Sequence, residues 1–269
     1  MTLRRLVTRA ATAVLVLGVT ALAPAVAVAE EAPTAVTAYV ALGDSYSSGN
    51  GAGDYDDAAG DCRRSFAAYP SLWADANDPD TFDNTSCSGA TTDDVLADQL
   101  GPLDAGTTLV SISIGGNDAG FADTMQTCVL SGTSACVSAV ATANQYISNT
   151  LPGKLDAVYA AISAAAPNAQ VVVLGYPRMY ELDGSCIFGI SEQSRAAING
   201  ASDNLHSVIS QRAAGHGFTY GDVRPAFTGH EICSGSAWLH SVTLPVSDSY
   251  HPNAAGHSGG YYTVFESLA

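Results

Sequence analysis

Lysine is almost absent from this chain. Lys154 is the only one, and Lys and Arg together number 10 against 26 Asp and Glu. Cations this sparse argue against a nucleic-acid partner and against docking on anionic membranes. After residue 29 no run is long and apolar enough to cross a bilayer, so no stable membrane anchor is expected. The cysteines form no Cys-x-x-Cys and none has a histidine at zinc-finger spacing, so no metal site is expected. A P-loop and a dinucleotide fingerprint are missing, and no cofactor is expected. Pro/Ser-rich linkers, repeats and low-complexity blocks are absent as well, which leaves one domain as the simplest reading.

What is present begins with a leader. Arg4, Arg5 and Arg9 precede an apolar run from Ala10 to about Val28, closed by Ala27-Val28-Ala29, the pattern of a secretory signal. Pro24, the abundance of Ala and the following Glu30-Glu31 set this run apart from a membrane span. Residues 1–29 are therefore expected to be removed, 30–37 to form a short extension and 38–269 to fold as one domain, exported from the cell and monomeric. The Arg4-Arg5 pair leaves a twin-arginine route open. Without the leader, seven basic residues face 26 acidic ones, a formal charge of −19. Six cysteines in an exported chain imply disulfides, which sequence alone could pair in fifteen ways.

The hydrophobic pattern alternates between strand and helix. Ala38–Leu42, Thr108–Ile114 and Gln170–Gly175 are short apolar runs bounded by turn residues, and Thr219–Asp222 is a weaker one. Helical spacing covers Phe66–Ala76, Thr92–Leu100, Val137–Ala166, Ser191–Ala214 and Asn253–Leu268. Such alternation predicts an α/β fold with a parallel sheet between helices. Ligands of these sheets bind beyond the carboxyl ends of the strands, which gathers Ser45, Gly115-Gly116-Asn117-Asp118 and the segment after Gly175 on one rim.

Ser45 follows Gly43-Asp44 directly after the first strand. A serine there is ordinarily a helix N-cap, but its hydroxyl and its own N–H can also face one reaction space. Gly43-Asp44-Ser45-Tyr46-Ser47-Ser48-Gly49 resembles the first block of the GDSL/SGNH hydrolases, with Tyr46 in place of the Leu of their name. Cys87-Ser88-Gly89-Ala90, Gly115-Gly116-Asn117-Asp118 and Asp248-Ser249-Tyr250-His251-Pro252-Asn253 resemble the other three blocks, in the right order and spread over most of the chain. Within that family the likeness is to the small, three-disulfide secreted lipases, esterases and phospholipases A1 of actinomycete bacteria.

The resemblance implies a flavodoxin-like, three-layer α/β/α sandwich with a five-stranded parallel sheet. It implies sequential disulfides, Cys62 to Cys87, Cys128 to Cys136 and Cys186 to Cys233, and a lipid or small acyl ester as substrate. Phospholipase A1 and carbohydrate acetyl esterase are the alternatives on the same scaffold. A non-catalytic binding domain would be expected to lack Ser45, His251 or Asn117, and all three are present.

The expected roles follow from chemistry. Serine attacks well only when a neighbour takes its proton, and His251, in a loop before a predicted helix, is the expected base among six histidines. Ser45 N–H, Gly89 N–H and the Asn117 amide are the expected oxyanion donors. Asp248 is expected to orient the imidazole, with the backbone carbonyl of Ser249 as the alternative. Asp44 and Asp118 with His251 form a less favoured metal-hydrolase reading. Phe121 and Met125, at helical spacing after Asn117, are expected along an acyl groove, with Trp73 and Trp238 as further candidates.

Overall fold

A computed structural model describes residues 37–186 and 189–269. The expected leader, and the extension apart from Thr37, lie outside the described residues. Five strands form one sheet: β1 (Ala38–Gly43), β2 (Thr81–Asn84), β3 (Leu109–Ser113), β4 (Gln170–Leu174) and β5 (Thr219–Gly221), in the order β2-β1-β3-β4-β5. All four pairings are parallel. Parallel neighbours need crossover connections, and helices supply them. β1, β3 and most of β4 are buried, which is why they read as largely apolar runs; the exceptions inside β3, Ser111 and Ser113, are buried as well.

The helices are α1 (Ser45–Ser48), α2 (Tyr69–Asn77), α3 (Thr92–Asp94, continued as a π turn over Val95–Gln99), α4 (Phe121–Leu130), α5 (Gly132–Asn149), α6 (Leu151–Ala165), α7 (Glu192–Gly215), α8 (Arg224–Phe227) and α9 (Thr263–Glu266). They complete a three-layer α/β/α fold. On one face of the sheet Tyr39 meets Trp73 of α2 edge-on at 5.1 Å and lies 5.6 Å from Phe265 of α9. On the other, α5, α6 and α7 pack together, burying Leu155 and Ile162 of α6 and Ile209 of α7.

Three details depart from the sequence expectation. The segment Val137–Ala166 is two helices meeting at Thr150, because Pro152, in the first turn of α6, has no N–H with which to continue the α5 ladder. β2 has no apolar run to announce it; it is a short, partly exposed edge strand that pairs only with β1. α4 was expected only as helical spacing after Asn117, yet it is a ten-residue helix. Disulfides join Cys62 to Cys87, Cys128 of α4 to Cys136 of α5, and Cys186 to Cys233.

Candidate active site

The strand order reverses between β1 and β3, and in open α/β sheets that switch point opens a crevice at the carboxyl ends. β1 ends at Gly43, whose φ of +120° favours glycine and where a Cβ would lie 2.3 Å from the Ser113 carbonyl oxygen on β3. The bare backbone lets the two strands stay paired up to the turn. Asp44 then caps α1, accepting the Tyr46 N–H at 3.0 Å. Ser45 is consequently not the cap but the first helical residue, where an N–H has no partner within the helix.

Asp44 is buried and also accepts from Ser113 Oγ at 2.9 Å and from the Tyr176 hydroxyl. Burial outweighs the lowering effect of these donors and leaves its carboxyl raised to about 6. The Tyr176 hydroxyl accepts the Gly116 N–H at 3.2 Å, so one phenol ties the turn before Ser45 to the turn carrying Asn117.

His251 arrives from the far end of the chain. Its Nε2 lies 2.7 Å from Ser45 Oγ and its Nδ1 3.0 Å from the Ser249 carbonyl oxygen. The loop before it is clipped at the base by His240 N–H to the His251 carbonyl at 2.9 Å and Tyr250 N–H to the His240 carbonyl at 3.0 Å. The Tyr46 hydroxyl donates to the Tyr250 carbonyl at 2.6 Å, which fixes the loop against α1. Burial in the cleft wall pushes the imidazole down to about 4.

Of the two expected orienters of the imidazole, it is the Ser249 carbonyl that lies within hydrogen-bond distance of Nδ1. Tyr250 has φ +65°, a conformation bulky residues avoid, and the turn it makes brings the Ser249 carbonyl round to the ring. The Asp248 carboxylate is paired instead with Arg63, 2.5 Å from its Nη2. Arg63 also donates through Nε to Asn50 Oδ1 at 2.6 Å and lies over the Tyr55 ring at 4.3 Å. Asn50 in turn donates to the Ser247 carbonyl at 2.8 Å. Arg63, Asn50 and Tyr176 escaped the sequence reading; adjacency of Arg63 to Cys62 in a cation-poor chain was the one available signal.

Ser45, Gly89 and Asn117 border one cleft of about 550 Å3 together with His251. Among the described residues, the N–H groups of Ser45 and Gly89 have no protein acceptor. Asn117 spends one N–H on the Ala90 carbonyl at 2.9 Å and keeps the other. Gly89 has φ +84°, and a Cβ there would meet nothing within 4 Å, so its conformation rather than crowding favours glycine. The Cys62–Cys87 bridge and the bond from Ser88 N–H to the Cys62 carbonyl, 3.0 Å, fasten the Gly89 loop to the segment carrying Arg63.

A second, narrower cavity of about 70 Å3 leads from Ser45 and Asn117 between α4, α5 and α7, past Phe121, Met125, Ala143 and Leu205. Phe121 and Met125 border both cavities. The other two expected groove residues are elsewhere: Trp73 is in the core against Tyr39, and Trp238 stacks on His230 at 3.6 Å. Asp118 accepts the N–H and hydroxyl of Thr92, so it and Asp44 are committed to structural bonds rather than grouped for a metal. No cluster of three metal-ligating side chains occurs among the described residues.

Residues 41–258 match the model of the GDSL-like Lipase/Acylhydrolase family. A Streptomyces coelicolor protein named Lipase 1 is 65% identical over 238 residues, 88% of each chain. The crystal structure of an extracellular lipase from Streptomyces rimosus aligns with a TM-score of 0.86 at 61% identity, over 87% of this chain and all of that one. A phospholipase A1 from Streptomyces albidoflavus aligns with the same score, identity and coverage.

Proposed function

The chain belongs to the GDSL-like lipase/acylhydrolase family, and from that premise we propose that it is an exported carboxylic ester hydrolase acting on acyl esters of glycerol and simple alcohols through an acyl-Ser45 intermediate. The observation that carries the reading is the line Ser249 carbonyl, His251 imidazole, Ser45 hydroxyl, with contacts of 3.0 and 2.7 Å, at the mouth of an apolar cavity.

In this reading Ser45 Oγ attacks the ester carbonyl carbon as its proton passes to His251 Nε2. The carbonyl oxygen becomes negative and is met by Ser45 N–H, Gly89 N–H and the free N–H of Asn117; one such donor is worth roughly 3 to 4 kcal/mol. Collapse breaks the bond to the alcohol oxygen, which takes the proton from His251, and the acyl group stays on Ser45. Water, deprotonated by the same nitrogen, then attacks the acyl-enzyme; the carboxylic acid leaves and Ser45 Oγ recovers its proton.

The narrow apolar cavity suits the alkyl chain of the acid, which favours chains longer than acetyl over a sugar acetyl esterase. The wider cleft suits the alcohol. No Lys or Arg borders it to meet a phosphate, which favours triacylglycerol over phospholipid, although the Streptomyces albidoflavus relative is a phospholipase A1. Export is supported by the signal-like residues 1–29, three disulfides and an extracellular relative.

The test is hydrolysis of p-nitrophenyl esters of graded chain length by the wild type, by Ser45→Ala and after diisopropyl fluorophosphate. Loss in both altered samples with preference for medium or long chains is expected. Activity surviving Ser45→Ala would sink the reading.

A further inference from the structure

Among the described residues, eight large apolar side chains are exposed, and five of them, Val129, Leu130, Val242, Leu244 and Val246, belong to two segments facing each other across the cleft. Four of the five border it, and Leu244 lies between two that do. The exposures are high: 72% for Leu130, 56% for Val242, 85% for Leu244 and 68% for Val246. Isolated exposed aliphatics are common, but a concentration at the entrance of one site is not.

The bank carrying three of them is a built loop. Ser249 Oγ accepts the Thr243 N–H at 2.9 Å, Asn50 Nδ2 donates to the Ser247 carbonyl, and the base of the loop holds His251. The other bank is the C-terminal end of α4, fastened to α5 by Cys128–Cys136. Aliphatic side chains on such supports present an apolar surface that does not fold away.

We propose that the rim formed by Leu130 on one bank and Val242, Leu244 and Val246 on the other is a docking surface for an electrically neutral lipid–water interface, which it seats over the Ser45–His251 cleft. The occupant follows from position. Anything seated on this rim covers Ser45, so a protein partner or a second copy would close the site, whereas a lipid aggregate delivers its own esters into it. Charge selects among lipids: the ionised side chain bordering the cleft is Asp123, with no Lys or Arg beside it, and the domain carries a large acidic excess. An anionic surface is repelled; a zwitterionic or uncharged one is not. Docking is therefore driven by aliphatic insertion and is transient, as expected of a few side chains without a second signal.

The proposal rests on the ester-hydrolase reading only for why the surface is there, and its test is separable from that reading. Ser45→Ala protein, which leaves the lipid intact, is sedimented with phosphatidylcholine vesicles, alone and with Leu244→Asp or Leu244→Met added. Leu244→Asp is expected to weaken vesicle binding about tenfold or more and Leu244→Met to preserve it. In the active enzyme, Leu244→Asp should leave kcat/KM on water-soluble p-nitrophenyl butyrate within about twofold. If the charged variant loses that activity too, Leu244→Ser replaces it, with about threefold weaker vesicle binding expected. Unchanged binding by the substituted protein, no binding by the parent, or stronger binding to vesicles containing phosphatidylglycerol would each overturn the proposal. Absence of ester hydrolysis by the wild type would sink the enzymatic reading instead and leave the vesicle result standing by itself.

Discussion

Ser249 and His251 are two residues apart, and the carbonyl oxygen of the first meets Nδ1 of the second at 3.0 Å. A carbonyl oxygen only accepts, so Nδ1 carries the hydrogen and Nε2, 2.7 Å from Ser45 Oγ, is left free to take a proton. A carboxylate in this place would do the same and add a charge to balance the imidazolium; here the backbone fixes the tautomer without that charge.

If the Ser249 carbonyl is the orienting group, no side-chain substitution removes it. Asp248→Asn is expected to lower kcat less than about tenfold, whereas His251→Ala should lower it by about a thousandfold or more. Steady-state hydrolysis of p-nitrophenyl butyrate separates them. Equal losses would mean that the carboxylate, not the carbonyl, holds the ring during turnover.

The pH dependence tests the pair behind that loop. Burial holds the His251 imidazole down to about 4, Asp248 pulls it up and Arg63 pushes it down. The base form is the active one, so kcat/KM should fall as pH drops through the imidazole pKa, with the acid limb below 6.5. Arg63→Gln removes a lowering charge and moves the limb up; Asp248→Asn removes a raising one and moves it down. The double variant should return close to the wild type. Stability carries the same sign: the unfolded chain takes up this proton near 6.5 and the folded one only near 4, so stability falls as pH falls through that window. A limb that ignores both substitutions would show that these charges do not reach the ring.

Much of this site could be read from the sequence because its parts sit at the ends of strands, where short turn motifs punctuate apolar runs. β1, β3 and most of β4 are buried and therefore spell themselves out as largely apolar stretches, interrupted in β3 by the buried Ser111 and Ser113, and the residues just beyond them face the crevice. β2 could not be read that way, since an edge strand with half its side chains in water carries no such signal. Asp248 and the Ser249 carbonyl could not be told apart in the sequence, for a different reason. The spacing of Asp248 from His251 is right for a side-chain contact, but the left-handed backbone at Tyr250 turns the intervening carbonyl into the position first. Nor does sequence reveal that Arg63, 185 residues away, would claim that carboxylate. Tyr176 is legible only in three dimensions, because its phenol joins two motifs that come from different strands.

Tyr176→Phe tests that joint. The substitution keeps the ring but leaves the Gly116 N–H unpaired and removes one donor from Asp44, whose carboxyl should rise further above 6 as a result. A buried hydrogen bond to a carboxylate contributes about 1.5 to 3 kcal/mol, so unfolding in urea should shift by that order. The Asn117 turn is then less firmly placed, and kcat should fall about tenfold with KM little changed, since the oxyanion forms only in the transition state. Unchanged kcat with lowered stability would reduce Tyr176 to a packing role.

The narrow cavity offers the most direct control over substrate choice. Ala143, on α5, borders it and is 9% exposed, so its methyl group faces space that a larger side chain would fill. Ala143→Phe places a ring where an alkyl chain would lie, at an overpacking cost of about 1 to 3 kcal/mol in stability. Each methylene denied an apolar contact loses about 0.8 kcal/mol, so two or three denied methylenes amount to roughly ten- to fiftyfold in kcat/KM. Activity on p-nitrophenyl decanoate is therefore expected to fall by that order while p-nitrophenyl acetate is hydrolysed within about threefold of the wild type. Equal losses on both esters would point to damage at Ser45 or to misfolding. Equal retention would mean that the acyl chain lies along the open cleft beside Val246 and Leu130, so that the apolar space between α4, α5 and α7 does not receive it.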